Sequence, residues 1–239
     1  MVRIASLNIR HGGGKRVPNI IDWVDKADAD FVMFSEWRAN QCGEALAGFM
    51  QNRGYNTQGI SQGPSANGIL MASRCDQMVS RITPKGALHG EIAFSASDEI
   101  DLISCYFPQK HEKMQFFHTV SDRILKASVP TILIGDLNTG LNGIDLTKGA
   151  TPFFCSKEFA ELESLGGAQD LWRHSHGKGA QEWSWCSKKN GFRIDHAYGN
   201  EALFNAYSSV FCRYDHSTRT EGVSDHSAIL VELENLALF

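Results

Sequence analysis

The chain has 239 residues, of which 42% are hydrophobic and 21% are charged, and its formal net charge is -4. This composition argues against a disordered protein, and no apolar run approaches the ~20 residues that a membrane span needs. The acidic balance excludes nucleic-acid binding through bulk positive charge, so any such binding requires a local patch.

The apolar pattern of the first half of the chain alternates between strand and helix periods. It predicts strands at residues 2–9, 30–36, 68–73, 78–83, 91–95 and 100–107. Helices are predicted at residues 18–28, where a proline lies near the first turn, and at residues 44–53.

The second half begins with the clearest helix, predicted at residues 110–128, because side chains recur there at three- and four-residue steps. The predicted buried face consists of Met114, Phe117, Ser121, Ile124 and Leu125. A second helix is predicted at residues 156–165, ended by Gly166 and Gly167. Strands are predicted at residues 131–134, 183–186, 193–198, 209–214 and 228–233. The stretch 139–152 has no periodicity and is predicted to be a long loop.

This order of elements is a mixed α/β pattern with many antiparallel strands and few helices. It favours stacked sheets covered by helices over a doubly wound parallel sheet. No internal repeat and no linker-like stretch divides the chain, so we expect a single domain over residues 1–239.

The six cysteines are widely spaced and include no C-x-x-C pair, which predicts a reduced, cytoplasmic protein.

Polar side chains stand where several predicted strands end. They are Asn8, Glu36, Tyr106, Asp136, Asn138, Asp195, Asp225 and His226. Acidic side chains at strand ends converge on one rim of a sheet, where they supply the hard oxygen ligands that Mg²⁺ prefers. Each residue taken alone is more typical of a turn, because Asp and Asn form local hydrogen bonds there. The complete ordered set favours a metal-dependent site.

Six motifs occur in order along nearly the whole chain. They are SLNIRHG (6–12), FSEW (34–37), YFPQ (106–109), GDLNTG (135–140), RIDH (193–196) and SDHSAIL (224–230). This set resembles the endonuclease/exonuclease/phosphatase superfamily, and within it most closely the exonuclease III-type abasic-site endonucleases. The stretches 170–174 and 183–185 support the same branch. The resemblance implies an α/β (α+β) fold, a four-layer sandwich in which two packed, mostly antiparallel sheets are flanked by helices.

The resemblance also implies a metal site. Glu36 would be the principal Mg²⁺ ligand, with Asn8 beside it on the metal or the phosphate. Asp225 would lie in or just outside the metal shell, and Mn²⁺ is the expected substitute for Mg²⁺.

Catalytic roles follow from the same resemblance. Asp136 would activate the attacking water, and Asn138 would hold the scissile phosphate. Tyr106 would hydrogen-bond that phosphate or the leaving group. Asp195 and His226 would pair, so that the imidazole donates to a phosphate oxygen. These residue types fit in-line attack on a phosphodiester, which needs a base, a Lewis acid and donors for the developing charge.

Three positions depart from the pattern of the nuclease branch. Arg10 replaces a small polar residue, which weakens a site for a second cation but suits a phosphate contact. We expect Arg10 and His11 to bind substrate. Trp37 replaces a threonine, and Cys186 stands in a shortened stretch where a second tryptophan is common. These departures leave abasic-site specificity open.

The stretch 171–193 contains five basic residues, one acidic residue and interleaved aromatic residues. Basic and aromatic side chains together suit phosphate contacts and base stacking, so Arg173, Trp183 and Trp185 are predicted to bind substrate. An equally weighted alternative places the tryptophans in the core, since positions 183 and 185 also fit a half-buried strand.

Three functions fit these observations. The first is a Mg²⁺-dependent DNA phosphodiesterase that acts as an abasic-site endonuclease, a 3′ exonuclease or a less specific nuclease, with duplex DNA as partner and a monomeric state. The second keeps the catalytic residues but acts on RNA, a nucleotide, a lipid headgroup or another small phosphoester. The third is a silent nucleic-acid-binding module, which would require a missing catalytic residue; none is missing.

Overall fold

The computed structural model describes residues 1–97, 100–164 and 167–235. Its strands, in chain order, are β1 (Val2–Asn8), β2 (Phe31–Trp37), β3 (Asn56–Ile60), β4 (Gly68–Ser73), β5 (Met78–Arg81), β6 (Glu91–Ala96), β7 (Asp101–Tyr106), β8 (Thr131–Asp136), β9 (Gln169–Asp170), β10 (Trp185–Cys186), β11 (Gly191–Phe192), β12 (Asp195–Gly199), β13 (Tyr207–Asp215) and β14 (Ala228–Asn235). The α-helices are α1 (Val17–Ala27), α2 (Gln41–Asn52), α3 (Met114–Lys126), α4 (Ser156–Ser164), α5 (Leu171–His176), α6 (Glu201–Ala206) and α7 (Ser217–Thr220). Short 3₁₀ helices cover Gly14–Arg16 and Lys110–Lys113. No α-helix in the described ranges is long and apolar enough to span a membrane.

Twelve of the strands form two sheets of six. The first sheet has the order β13-β14-β1-β2-β4-β3, and the second has the order β5-β6-β7-β8-β12-β9. Only the β1–β2 and β7–β8 pairs are parallel among the described pairings. The predicted mostly antiparallel sheets are therefore confirmed.

Three apolar clusters define the layers. Side chains such as Ile4 and Met33 of the first sheet pack against Leu102 and Ile132 of the second. On the outer face of the first sheet, a second cluster buries the apolar sides of α1 and α2. On the outer face of the second sheet, a third cluster buries α3 and α4. The result is the predicted four-layer sandwich, helices–sheet–sheet–helices.

The predicted helix at residues 110–128 is a 3₁₀ turn followed by α3, and its buried face differs from the prediction. Phe116 and Val120 are buried with Phe117 and Ile124. Met114 and Leu125, which were placed on the buried face, are 41% and 61% exposed. The buried stripe of α3 is therefore rotated by about one residue from the predicted one. Phe117 and Ile124 belong to both stripes, so these two residues could not show which stripe is buried.

The short elements β3, β9, β11, α5, α6 and α7 were not predicted. Their helices have only four to six residues, which is too short for an apolar period to emerge. The predicted loop at 139–152 is confirmed. Leu165 and Gly166, at the predicted end of α4, lie outside the described residues.

The sheet topology explains how distant motifs meet. The ends of β1 and β2 lie side by side because these strands are parallel, with Asn8 opposite Ser35. The start of β12 pairs with the end of β8, which places Asp195 opposite Asp136. The start of β14 pairs with β1, and Ser224 Oγ just before it donates to the carbonyl of Asn8. Tyr106, at the end of β7, lies opposite Asp136 in the parallel β7–β8 pair, so that all six motifs lie at one edge of the sandwich.

Candidate active site

Asn8 joins the two sheets at this edge. Its amide nitrogen Nδ2 donates to Asp136 Oδ2 of the second sheet at 2.9 Å and to Glu36 Oε1 of the first sheet at 3.2 Å. Its amide oxygen accepts from the backbone N–H of Arg10 at 2.8 Å. The side chain is 1% exposed. Both carboxylates are therefore held by one buried amide.

Glu36 occupies an irregular position in β2. The pairing of β2 with β4 shifts register between Ser35 and Trp37, and Glu36 has φ of 57°. A left-handed conformation is unfavourable for glutamate, and such residues concentrate at functional sites. Here it is held by two backbone groups: Gly12 N–H donates to the Glu36 carbonyl at 2.7 Å, and His11 N–H donates to Oε2 at 2.8 Å.

The turn after β8 orients Asp136 and Asn138. Gly135 passes so close to β7 that an added Cβ would lie 2.1 Å from the carbonyl oxygen of Cys105. Asn138 has φ of 51°, a conformation that asparagine tolerates. Its N–H donates to Asp136 Oδ1 at 2.8 Å, and its side chain donates to the carbonyl of Phe107 at 2.9 Å. The GDLN motif is thus the sequence that this tight turn requires.

Asp195 and His226 form the predicted pair. His226 Nδ1 lies 2.8 Å from Asp195 Oδ2, and both side chains are buried. Burial alone lowers the pKa of His226, but the charge and hydrogen bond of Asp195 outweigh it and raise the pKa to about 10. Tyr214 fixes this corner by donating its hydroxyl to the backbone oxygen of Asp195 at 2.6 Å.

The buried acids fit a cation. Burial raises the pKa of Asp136 to about 7, and the charge of Asp195 adds to that effect. One ligand atom each from Asp136, Asp195 and His226 lies within 4.8 Å of the others. In the described chain, Asp225 Oδ1 is a buried oxygen without a hydrogen-bond partner. Together with Glu36, the carboxylate oxygens of Asp136, Asp195 and Asp225 form the oxygen donor set that a hard divalent metal prefers.

Tyr106 lies at the end of β7, next to β8. Its hydroxyl accepts a hydrogen bond from Asn67 Nδ2 at 3.2 Å. Burial raises its pKa, and the charge of Glu36 raises it further, so the hydroxyl is protonated and able to donate.

Arg10, His11 and Trp185 lie around the cluster. Arg10 Nε is 3.7 Å from Asp225 Oδ2, and the indole N–H of Trp185 donates to the same oxygen at 3.3 Å. His11 Nδ1 is 3.0 Å from Glu36 Oε2. All three are at least partly exposed, so a substrate at the cluster can reach them.

Arg173 does not belong to this group. Its guanidinium lies 3.0 Å from Asp170 Oδ2 and 2.5 Å from Asp145 Oδ1, and the residue is 8% exposed. Arg193 completes the same buried network with both acids. These ion pairs correct the predicted substrate role of Arg173, because its charge is neutralised inside the protein.

The remaining aromatic predictions divide between the core and the surface. Trp183 packs on Gly191, where an added Cβ would lie 2.4 Å from the indole Cγ. Trp37 is buried and donates its indole N–H to the carbonyl of Gly43 at 3.1 Å. Trp37 is therefore a core residue, whereas Trp183 is partly exposed and its substrate role stays a prediction.

Sequence reasoning missed three polar residues that support the site. Lys113 is 1% exposed, and its ammonium donates to the backbone oxygen of Asn138. Arg38 Nε donates to Asn67 Oδ1 at 2.7 Å, which in turn positions Asn67 near Tyr106. Arg38 lies two residues after Glu36 in the sequence, and this proximity to a predicted metal ligand would have identified Arg38 as a candidate site residue.

Comparisons with known proteins agree with this geometry. A sequence model of the Endonuclease/Exonuclease/phosphatase family matches residues 5–226. Among curated proteins, no sequence matches the chain. An AP endonuclease from Archaeoglobus fulgidus is 18% identical and superposes over 98% of this chain and 99% of its own, with a TM-score of 0.81.

Two structures from Neisseria are similar to the same extent. The 3′ phosphatase NExo bound to product DNA hairpin is 20% identical, with 98% of this chain and 100% of the other covered and a TM-score of 0.81. The 3′-5′ exonuclease NExo from Neisseria meningitidis is also 20% identical, with the same coverage and a TM-score of 0.80. The chain belongs to the endonuclease/exonuclease/phosphatase family. It is a metal-dependent phosphoric ester hydrolase.

Proposed function

We propose that this chain hydrolyses phosphodiester bonds of DNA with Mg²⁺, as an abasic-site endonuclease, a 3′ exonuclease or a less specific nuclease. The observation that carries the proposal is the buried cluster of Asn8, Asp136, Asp195 and His226 beside Glu36. It supplies a base, a charged donor and metal ligands at one edge. The structures similar to this chain include an AP endonuclease and a phosphatase bound to DNA, which supports DNA as the substrate.

Asp136 is the proposed general base. A carboxylate with a pKa of about 7 accepts a proton from water at neutral pH more readily than an exposed carboxylate does. The hydrogen bonds from Asn8 and Asn138 hold its two oxygens in place before substrate binds.

His226 is the proposed donor to the phosphate. It is protonated at neutral pH because Asp195 stabilises its charge. Its Nδ1 is occupied by Asp195, which leaves Nε2 for a non-bridging phosphate oxygen. A fixed positive donor at this position stabilises the charge that develops during attack.

Glu36, Asn8 and Asp225 are the proposed Mg²⁺ ligands, with Mn²⁺ as a substitute. When bound, the metal supplies Lewis-acid stabilisation of the phosphate oxygens. Tyr106 and Asn138 then orient the scissile phosphate and the leaving group.

A gel assay tests the substrate. Purified protein with Mg²⁺ is incubated with two labelled duplexes, one intact and one with a single abasic analogue, and with EDTA in parallel. A single cut at the lesion identifies a repair endonuclease, and degradation of both duplexes identifies a general nuclease. No cleavage of either duplex by folded protein would overturn the proposal.

A non-DNA phosphoester is the second candidate substrate. It is favoured by the burial of Arg173 and Arg193, which removes two of the five basic residues from the predicted nucleic-acid surface at 171–193. The exposed basic residues left in that stretch are Lys178, Lys188 and Lys189. Cleavage of a small phosphoester but not of DNA would select this candidate.

A further inference from the structure

A groove of about 660 Å³ opens next to Tyr106. Its walls come from the segment after β2, the segment before β4, the loop before β6 and the segment after β7. Tyr106 is the one member of the predicted catalytic set that lines it. The groove therefore adjoins the position of the scissile phosphate.

The groove has a positive net charge although the chain does not. The cations Arg38 and Lys110 line it, against the single acidic residue Glu112. Amide and hydroxyl side chains make up most of the remaining polar lining. Because the chain as a whole has a net charge of -4, this excess of cations is local and lies beside the reaction site.

Arg38 lines the groove and is held in a fixed orientation. Its Nε donates to Asn67 Oδ1 at 2.7 Å, and its Nη2 lies 3.1 Å from His11 Nδ1. Gly12 packs against its stem, since an added Cβ there would lie 3.2 Å from Arg38 Cβ. Nη1 has no partner among the contacts of the described residues and is free to bind a ligand. A guanidinium held in this way pays little entropy to bind a phosphate oxygen.

Lys110 also lines the groove. It is exposed, and its φ of 58° is unfavourable for a residue with a side chain. Within the described part of the chain, its ammonium has neither an ion pair nor a hydrogen bond. Strained backbone at a functional site is common, which is consistent with a binding role for this exposed cation.

Asn67 connects Arg38 to the reaction site. The side-chain amide of Asn67 accepts a hydrogen bond from Arg38 and donates a second one to the Tyr106 hydroxyl at 3.2 Å. A phosphate bound by Arg38 would thus be adjacent to the phosphate bound by Tyr106. Two neighbouring phosphates are a property of a polynucleotide strand and not of a simple phosphate monoester.

We propose that this groove binds a second phosphate of the substrate strand, next to the scissile phosphate, with Arg38 and Lys110 as its ligands. The inference rests on the proposed function, because it assumes a polynucleotide substrate. It deepens that function by making the groove a determinant of preference for polymers over isolated phosphoesters.

The test compares two substrates. One is a short DNA oligonucleotide, and the other is bis(p-nitrophenyl) phosphate, a diester without a neighbouring phosphate. The ratio of kcat/KM on the oligonucleotide to kcat/KM on the small diester is measured for wild type, Arg38→Gln, Lys110→Gln and Lys157→Gln. Lys157 is a matched exposed cation on α4, outside the groove, with 86% of its side chain exposed.

We expect the ratio to fall roughly fivefold in each groove variant, which is the effect of losing one charge-assisted phosphate contact, and to stay unchanged in Lys157→Gln. The salt dependence gives a second readout: the slope of log KM on the oligonucleotide against log salt should decrease by about one in each groove variant.

An unchanged ratio and slope in both groove variants would overturn the inference while leaving the proposed function intact. Failure of the wild type to cleave the oligonucleotide, with the small diester hydrolysed, would instead overturn the proposed function. Equal losses on both substrates would also contradict a second phosphate site, because they would place Arg38 or Lys110 in the reaction step.

Discussion

The two buried histidines near the site are held in opposite charge states by their neighbours. His226 faces Asp195, and its pKa is raised to about 10. His196 lies beside Phe159 and Tyr198, and burial together with the charge of Arg193 lowers its pKa to about 4. His196 Nε2 lies 2.8 Å from the carbonyl of Thr139, which accepts its proton in the neutral state.

His196 makes stability depend on pH. Its folded pKa of about 4 is below the unfolded value near 6.5, so between these values the unfolded state binds more protons. The contribution of His196 to the free energy of unfolding is therefore fully present above pH 6.5. It is lost as pH falls towards 4, and the loss is about 3 kcal/mol in total. In His196→Gln, which keeps a donor for Thr139, we expect a smaller fall in the free energy of unfolding between pH 7 and pH 5. Urea titrations at both pH values measure it, and the same pH dependence in both proteins would refute the assignment.

Single residues differ in how far the sequence could predict them. Asn8, Glu36 and Asp136 were predictable because strand ends and motif order place them together. The burial of Arg173 was not, because Asp145, the second acid of its ion-pair network, meets it only in the tertiary fold, whereas Asp170 lies three residues before it. An arginine in a basic stretch looks the same in sequence whether it is solvated or paired.

At the scale of elements, the 3₁₀ helix Lys110–Lys113 supports the turn after β8. Lys113 reaches into the core, and its ammonium holds the carbonyl of Asn138, the residue with φ of 51°. Burial lowers the pKa of Lys113 to about 8, against the charge of Asp136, which raises it. The lysine therefore costs desolvation energy and holds the turn that carries Asp136 and Asn138.

Lys113→Met separates these two effects. Removing a buried charge is often neutral or stabilising, so we expect the melting temperature to stay within about 3 °C of wild type or to rise. We expect kcat to fall about tenfold with little change in KM, because the turn that carries Asp136 and Asn138 loses its support. Thermal melts and steady-state kinetics on the same preparation measure both. Parallel losses of stability and activity would show that Lys113 is only structural.

The elements themselves were predictable in proportion to their length. Strands that contain a continuous apolar run, such as β2 (FVMF at 31–34) and β8 (ILI at 132–134), were found. Of the predicted strand at 183–186 only β10 (Trp185–Cys186) is a strand, and the two-residue β11, just before the predicted strand at 193–198, was not predicted. Both are short, and their bridges to His226 and Leu146 join residues distant in sequence.

At the scale of the whole molecule, the site exists because two sheets meet. The first sheet supplies Asn8 and Glu36, the second supplies Asp136 and Asp195, and the turn before β14 supplies His226. The hydrogen bond from Asn8 to Asp136 crosses between the sheets at the edge of their shared apolar cluster. The four-layer order was implied by the family resemblance, whereas composition and periodicity indicated only stacked sheets with helices.

The most direct test of this account is Asp136→Asn, assayed with Mg²⁺ on the DNA substrate that the wild type cleaves. Asparagine keeps the shape of the side chain and removes the proton acceptor, so we expect kcat to fall about 10³-fold, a typical contribution of a general base. The circular dichroism spectrum and melting temperature should match those of wild type. Full activity in highly purified Asp136→Asn protein would contradict the proposed role of this carboxylate and the mechanism built on it.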